Sequence, residues 1–360
     1  MNFPDNAEPS TARHAMQLAR QVSLRVTHLA TCYLITRSGE DMRANRRTVG
    51  SPTSAFLPGP AASPHAQRAK AILQKHPDVR KLIGRDPSVV VIAATVSAFQ
   101  IGVASLLQGA SPLVVLVAAG FGAFPAITQY ATDHEFSHGN VLKSASANKL
   151  AAIITSLARG IPSTGHFLAV HPAHHRLLGS YLYDLDVPAA WEASLFSRNP
   201  LTKLLFLALF PVLSALRAGR ALGHIGGIDR WIVLNYLLQL LVNALVVYAW
   251  GWSALGYLVL SSYLAVGPHP LGARVIQEHF VVEEGHETND YDGPASPFLL
   301  FGGRHAGHHD FVGIPASRLR KLYVIASEFY TPVPTYSSYT ALLFEFLRSS
   351  KRTLWRRIVR

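Results

Sequence analysis

Charge and sulfur are both scarce in this chain of 360 residues: 15% of it is Asp, Glu, Lys or Arg, and it holds one cysteine. A single thiol, Cys32, excludes an intramolecular disulfide framework and any iron–sulfur cluster held by several thiolates, and reads as an idle thiol. A dinucleotide fingerprint is also missing: Gly120-Phe121-Gly122 starts one, but Pro125 ends it inside an apolar run. There is no G-K-[ST] phosphate loop and no G-x-S-x-G nucleophile elbow. The chain is therefore not expected to bind its own nicotinamide cofactor or to hydrolyse ATP. Any redox chemistry would have to draw its electrons from a partner.

What the chain has instead is apolar length. Nearly half of it, 49%, is hydrophobic, the profile of a membrane protein rather than a soluble enzyme. Residues 88–107 and 111–130 are uncharged and long enough to cross a bilayer, and a Gln-Gly-Ala turn joins them into a hairpin. Residues 231–250 make a third span with a tryptophan at each end; Gly251-Trp252 turns it, and 253–267 make a fourth, ended by Pro268 and Pro270. Residues 203–216 are apolar but too short for a span, and read as interfacial or packed on the domain. The formal net charge of +12 is concentrated near the ends, in Arg13, Arg20, Arg25, Arg37, Arg43, Arg46 and Arg47, then Lys351, Arg352, Arg356, Arg357 and Arg360. No nucleic-acid fold signature accompanies it, so the positive-inside rule explains it better than nucleic-acid binding does. Four spans put both ends on one side, and the basic ends make that side cytosolic.

The flanks divide as follows. Residues 1–62 lack apolar periodicity and read as a disordered or targeting extension; 16–36 could form a basic amphipathic helix of transit-peptide type, against which Asp5 and Glu8 argue. Residues 63–87 read as a surface helix lying on the membrane, with Ala66, Ala69, Ile72 and Leu73 as its apolar stripe. Residues 88–316 form the membrane domain. Residues 317–360 form a cap with a basic tail, in which Leu319, Leu322, Ile325 and Phe329 recur at helical spacing. The expected fold is an all-α integral membrane protein of about four transmembrane helices under a cytosolic helical cap.

The chemistry lies in three histidine clusters. His134 and His138 stand four apart; His171, His174 and His175 have the H-x-x-H-H spacing, and His305, His308 and His309 repeat it. Positions i, i+3 and i+4 share one helix face, so each cluster can converge on a small volume. Eight imidazoles overfill one tetrahedral zinc and suit two metal ions. Imidazole accepts iron, copper, nickel and zinc alike, so spacing leaves the metal open. Every cluster falls on the expected cytosolic side, just outside the bilayer.

With Pro64-His65-Ala66-Gln67-Arg68, Ala71-Ile72-Leu73, His174-His175-Arg176, Asp184-Leu185-Asp186-Val187-Pro188, Gln277-Glu278-His279-Phe280, Gly285-His286-Glu287-Thr288, His308-His309-Asp310-Phe311 and Ile314-Pro315, the chain resembles the membrane-bound fatty acid desaturase and hydroxylase superfamily. Within that superfamily it resembles the sphingolipid (dihydroceramide) Δ4-desaturases, over residues 63–345. The histidine boxes mark only the superfamily; the H-E-T, D-x-D-V-P and H-H-D-F-x-x-I-P stretches are narrower. The resemblance implies a di-iron centre on nine histidines: His134, His138, His171, His174, His175, His279, His305, His308 and His309. It implies molecular oxygen as co-substrate, electrons originating in NAD(P)H and delivered through cytochrome b5 and its reductase, and an endoplasmic-reticulum membrane. It implies a trans C4–C5 double bond made in the sphingoid chain of dihydroceramide during ceramide biosynthesis. Two departures stand out. Arg274 occupies the position, five before His279, where the family commonly has a histidine, and small Ala306-Gly307 separates the third-box histidines. No H-P-G-G stretch of a fused cytochrome b5 domain occurs.

Removing hydrogen from an unactivated methylene is beyond acid–base catalysis by side chains, and iron with dioxygen supplies the oxidant. Asp133, Asp184, Asp186 and Asp310 stand beside the boxes and are expected to accept hydrogen bonds from outer histidine nitrogens. Arg176, Arg274 and Arg304 are candidates for the lipid head group, and Tyr181, Tyr183 and Trp191 for the mouth of a channel. Competing expectations are a C4-hydroxylase or a bifunctional enzyme, an acyl-chain desaturase, and, from another class, a membrane metal-binding or transport protein. Transport calls for ionisable residues within the spans, which these nearly lack.

Overall fold

The structure, a computed structural model, describes residues 55–60 and 63–360. The readings of the N-terminal extension, Cys32 included, fall almost wholly outside the described residues. Residues Ala55–Arg360 form one compact unit. In chain order the helices are α1 (Pro64–Lys75), α2 (Ser88–Leu106), α3 (Pro112–Ser137), α4 (Ala145–Ser156), α5 (Thr164–Arg176), α6 (Ala190–Phe196), α7 (Pro200–Ile225), α8 (Arg230–Val266), α9 (Arg274–His279), α10 (His305–Asp310), α11 (Ala316–Ile325), α12 (Ser327–Tyr330) and α13 (Tyr339–Arg348). Two short parallel pairs complete the fold: β1 (Leu57–Pro58) beside β4 (Ile358–Val359), and β2 (Asp290–Tyr291) beside β3 (Thr335–Tyr336).

The spans form where the uncharged runs place them. Ser111 caps α3 by accepting from the Val114 amide, and Pro112 fills its first turn. Asp229 caps α8 by accepting from the Trp231 and Ile232 amides at 2.9 and 3.0 Å. Leu106, Phe121, Leu240 and Tyr248 point outward from the spans, as a lipid-facing surface requires. Helix α8 is broken at Gly251, whose backbone sits at φ 77°, ψ −178°. The break is a reversal, not a bend. Asn243 donates to the Gly160 carbonyl at 2.9 Å, while a Cβ on Gly160 would lie 2.8 Å from Val259. In a straight helix those two positions would stand about 24 Å apart. Helix α8 is thus the third and fourth spans joined by a one-glycine turn.

Helices α4 and α5 have 12 and 13 residues, and at about 1.5 Å per residue neither crosses a bilayer core. They form a short hairpin, joined by the 3₁₀ turn Leu157–Arg159. The exposed carbonyls of that turn are met by side chains of the spans. Gln129 donates to Thr155 at 3.3 Å, Gln239 to Leu157 at 2.9 Å, Ser262 to Arg159 at 3.0 Å and Asn243 to Gly160 at 2.9 Å. Irregular backbone at membrane depth is tolerable only when buried in protein and satisfied in this way. The hairpin also needs a close approach: a Cβ on Gly165 would lie 2.7 Å from the Ile232 Cα. Gly165→Val is therefore expected to push α5 off α8 and destabilise the fold by roughly 1–3 kcal/mol or more, read as a fall in melting temperature in detergent; a variant melting with the parent would refute that contact.

Helix α7 corrects one expectation. It runs for 26 residues, long and apolar enough by composition to cross a membrane, where the sequence pattern marks only 203–216. Charged residues at 203, 217 and 220 interrupt the apolar run, but they belong to the helix's inner face. Lys203 donates to the Phe346 and Ser349 carbonyls at 2.8 and 2.6 Å. Arg217 donates to the Leu185 carbonyl at 2.7 Å and pairs with Glu192. Leu201, Leu205, Leu209, Val212 and Leu216 face outward. Both halves of α7 are thus fastened to the same side of the molecule.

The cap differs from its sequence reading in two places. Ile72 of α1 and Val79 just after it are fully buried against Ala306, Phe311, Ile314, Leu319 and Leu322, so the stripe on residues 63–87 packs on α10 and α11 rather than on a membrane, and Ala66 points outward. The arginines of the C-terminal segment are not a free basic tail. Arg352 pairs with Glu345, Arg356 donates to the Val281 carbonyl, Arg360 pairs with Glu287, and Arg357 is 2% exposed. Helix α11 ends at Ile325, and a second short helix carries Phe329.

Candidate metal centre

Three rigid elements and one helix end aim the histidines at one volume. Helix α3 brings His134, with His138 as its capping residue; α5 brings His171, His174 and His175; α9 ends on His279; α10 brings His305, His308 and His309. The rings sort into two groups. In the first, the Nε2 atoms of His138 and His171 are 3.0 Å apart, those of His171 and His175 3.0 Å, and those of His175 and His308 3.1 Å. His134 joins them, its ring centre 4.2 Å from that of His308. In the second, His279 and His305 face each other Nε2 to Nε2 at 2.9 Å and His305 and His309 at 3.1 Å, while His174 lies 4.8 Å from His279 between ring centres. The rings of His175 and His309, 4.2 Å apart, form the wall between the groups.

Mutual hydrogen bonding does not account for this arrangement. A neutral imidazole has one N–H, and His171 and His175 each turn one Nε2 toward two others at about 3 Å. Nitrogens bound side by side to one metal ion at about 2.1 Å stand about 3 Å apart. The donor sets, five imidazoles and four, therefore fit two cations. Burial pushes His305, His308 and His309 well below the usual histidine range, so they present free lone pairs at neutral pH.

His174 differs. Burial lowers its proton affinity, but Asp184 and Asp186 outweigh that and raise it. Its Nδ1 is 2.7 Å from Asp184 Oδ1 and 3.7 Å from Asp186 Oδ2. Asp184 also accepts from the Gly179 and Asp186 amides at 2.8 and 2.9 Å and from Arg357 at 3.1 Å. Burial alone would raise the Asp184 carboxyl, yet His174 and Arg357 hold it well below the usual carboxylate range. The other two aspartates do not meet the clusters. Asp133 accepts from Arg159 at 2.6 Å and Thr164 at 2.9 Å. Asp310 accepts from His65 at 2.7 Å, from Arg68 at 2.6 and 3.0 Å and from Tyr330 at 2.9 Å.

Sequence reasoning passed over two carboxylates. Glu135 Oε1 lies 3.3 Å from His134 Nδ1, and its other oxygen accepts from the Ala316 amide at 3.1 Å. Glu278 Oε1 lies 3.8 Å from His305 Nδ1 and pairs with Arg274. Both adjoin a histidine in sequence, and that adjacency was the available signal. Of the candidate head-group residues, Arg274 sits behind the second cluster in its pair with Glu278. Arg304 pairs with Asp292 at 2.9 Å on the outer surface, and Arg176 is exposed at the end of α5. Tyr181 accepts from the Ala190 amide at 3.2 Å, and Trp191 is exposed. A cavity of about 290 Å³ opens between α2, α3 and the 296–301 loop; it is lined by Val89, Ile92, Thr128, Leu300 and Phe301 and ends at Glu135, beside His134.

The chain matches the fatty acid desaturase family over residues 110–340 and the sphingolipid Delta4-desaturase family over residues 61–88. It is 34% identical to a sphingolipid delta(4)-desaturase-like protein of Oryza sativa subsp. japonica, across 79% of this chain and 86% of that protein. It is 34% identical to a sphingolipid delta(4)-desaturase of Drosophila melanogaster, across 79% and 88%. It is 33% identical to a sphingolipid delta(4)-desaturase/C4-monooxygenase of Rattus norvegicus, across 79% and 88%.

Proposed function

Because the chain belongs to the sphingolipid Δ4-desaturases of the fatty acid desaturase superfamily, we propose that it sets a trans double bond between C4 and C5 of the sphingoid chain of dihydroceramide. It is a membrane-embedded oxidoreductase. The observation that carries the reading is the convergence of Nε2 atoms into groups of five and four imidazoles. In this reading His134, His138, His171, His175 and His308 hold one iron, and His174, His279, His305 and His309 hold the other. With dioxygen and two electrons, the pair of irons supplies the oxidising power that an unactivated methylene demands.

The chain's own groups then have defined tasks. Asp184 takes a hydrogen bond from His174 Nδ1 and so turns its Nε2 lone pair toward the iron; Glu135 stands in the same relation to His134. Arg274 neutralises Glu278 behind His305, in the position where the family commonly has a histidine. The apolar cavity ending at Glu135 suits an alkyl chain, and its polar rim of Asp86, Ser88 and Ser317 suits a head group. Overall, two hydrogens from the substrate, two electrons and two protons reduce dioxygen to two waters. The electrons originate in NAD(P)H and arrive through cytochrome b5 and its reductase. The site faces the cytosol from the endoplasmic-reticulum membrane, a placement supported by the basic N-terminal stretch.

A second outcome, oxygen insertion at C4, is compatible with the relatives in rat and cattle whose names join desaturase and C4-monooxygenase. One experiment separates the outcomes. Labelled dihydroceramide is fed to cells that lack their own Δ4-desaturase and express this chain. Product lighter by two hydrogens is expected. Product heavier by one oxygen moves the assignment to hydroxylase. Neither product from an iron-loaded protein points to another lipid, and neither product with no iron bound would sink the enzyme reading.

A further inference from the structure

The second group of histidines is closed by a residue from the far end of the chain. Arg357 is 2% exposed, and its guanidinium reaches two acceptors. Nη1 donates to the main-chain carbonyl of His279 at 2.8 Å, and Nη2 to Asp184 Oδ2 at 3.1 Å. The other oxygen of Asp184 receives His174 Nδ1. One side chain therefore bridges the supports of His174 and His279, which come from helices about a hundred residues apart in sequence.

The surrounding segment is built to hold that side chain still. On its amino side Leu354 is fully buried and Arg356 exchanges main-chain and side-chain bonds with Val281, each at 2.7 Å. On its carboxyl side Ile358–Val359 pair with Leu57–Pro58, and the Arg360 amide donates to Gly179 at 2.9 Å. Gly179 in turn donates its amide to Asp184. A buried guanidinium is costly unless paired, and this one is paired with Asp184. A rigid fork suits it to hold two acceptors at a fixed separation. Its bond to one oxygen of Asp184 holds in place the other oxygen, the acceptor that faces His174 Nδ1.

We propose that Arg357 is a positioning residue for the four-imidazole half of the centre, holding His174 and His279 at the spacing that lets them share one metal ion. The inference rests on the di-iron reading above, and metal content tests the two separately. The full-length protein is purified in detergent and its iron counted per chain. Wild type is expected to hold two irons, and Arg357→Met about one, with the first group still loaded. The remaining ferric ion would then give the EPR signal of an isolated high-spin centre, which a coupled pair lacks. Arg357→Lys, which keeps the charge but reaches one acceptor, is expected to keep two irons at first and to lose one to a chelator at least roughly tenfold faster than wild type. Arg352→Met, on the same segment but paired with Glu345 away from the histidines, should behave as wild type. Asp184→Asn should lose the same iron, and the double variant no more than either single one.

If Arg357→Met cannot be recovered folded, the lysine variant decides. Two irons in Arg357→Met, or wild-type chelation kinetics in Arg357→Lys, would overturn the proposal while leaving the di-iron reading intact. A wild type that binds no iron would overturn the di-iron reading, and this inference with it.

Discussion

His175→Ala is expected to abolish product formation and to strip iron from the protein. His175 has the most connected position in the centre: its Nε2 meets those of His171 and His308 at 3.0 and 3.1 Å, and its ring forms the wall against His309. Losing it removes one ligand from the five-imidazole group and opens the partition to the other group. Loss of a partner one bond further out costs about 10–100-fold, so loss of this ligand should exceed that range and leave the labelled lipid unchanged within detection. Asp184→Asn supplies the comparison. It keeps every imidazole and alters one hydrogen bond, and should lose only the iron of the four-imidazole group while the five-imidazole group stays loaded. Iron per chain and product per chain, measured on the same preparations, check both. A His175→Ala protein with full iron and measurable turnover would show that the two groups are not metal sites of this kind.

The second large effect is on stability. Arg159 is fully buried at the turn between α4 and α5, bonded to Asp133 at 2.6 Å and 4.3 Å from the centre of the Tyr130 ring. Asp133→Leu would leave that guanidinium without its counter-charge, and breaking a buried pair from one side costs about 3–5 kcal/mol. Arg159→Met should cost a similar amount by stranding the carboxylate. The double variant removes both charges and is expected to be more stable than either single one, since replacing a whole buried pair with apolar groups is often neutral. Melting in detergent, compared at one heating rate, reads the order. A double variant less stable than both single ones would mean that the pair is held for something other than mutual compensation. Asp133 precedes His134, so the single variants should lose iron as well.

These two sites differ in how far the sequence announces them. The histidine boxes were legible because helix periodicity fixes which of their residues share a face, and a local pattern needs no tertiary knowledge. The apolar helices α2, α3 and α8 were legible too: an uncharged run of twenty residues has few alternatives. Asp133 was visible as a neighbour of the first box, but its partner was not. Its position suggests an acceptor for a histidine, while the α4–α5 hairpin brings Arg159 and Thr164 to it instead. The turn of that hairpin was itself hidden, though 148–157 reads as a short apolar helix. Gln129, Gln239, Asn243 and Ser262 look like incidental polar residues, one or two to a span, until the fold sets them around a single turn of backbone. Helix α7 was shortened in the reading because Lys203 and Arg217 look like ends, though both bond inward to main-chain carbonyls. Arg357 was counted with a basic tail, because nothing within a dozen residues of it hints at Asp184, 173 positions away.

With a metal ion between them, the paired imidazoles would also fasten the chain. A protein with a single thiol has no disulfide to tie distant segments together, yet His175 and His308, 133 positions apart, are brought nitrogen to nitrogen. An ion held between them closes a loop as a covalent bridge would, and in the chain-entropy account a closure of that length is worth on the order of 4–5 kcal/mol. Loading the site would then contribute to folding as well as to chemistry. Iron scarcity would be felt twice, first as fewer competent catalysts and then as a looser polypeptide, more open to proteolysis.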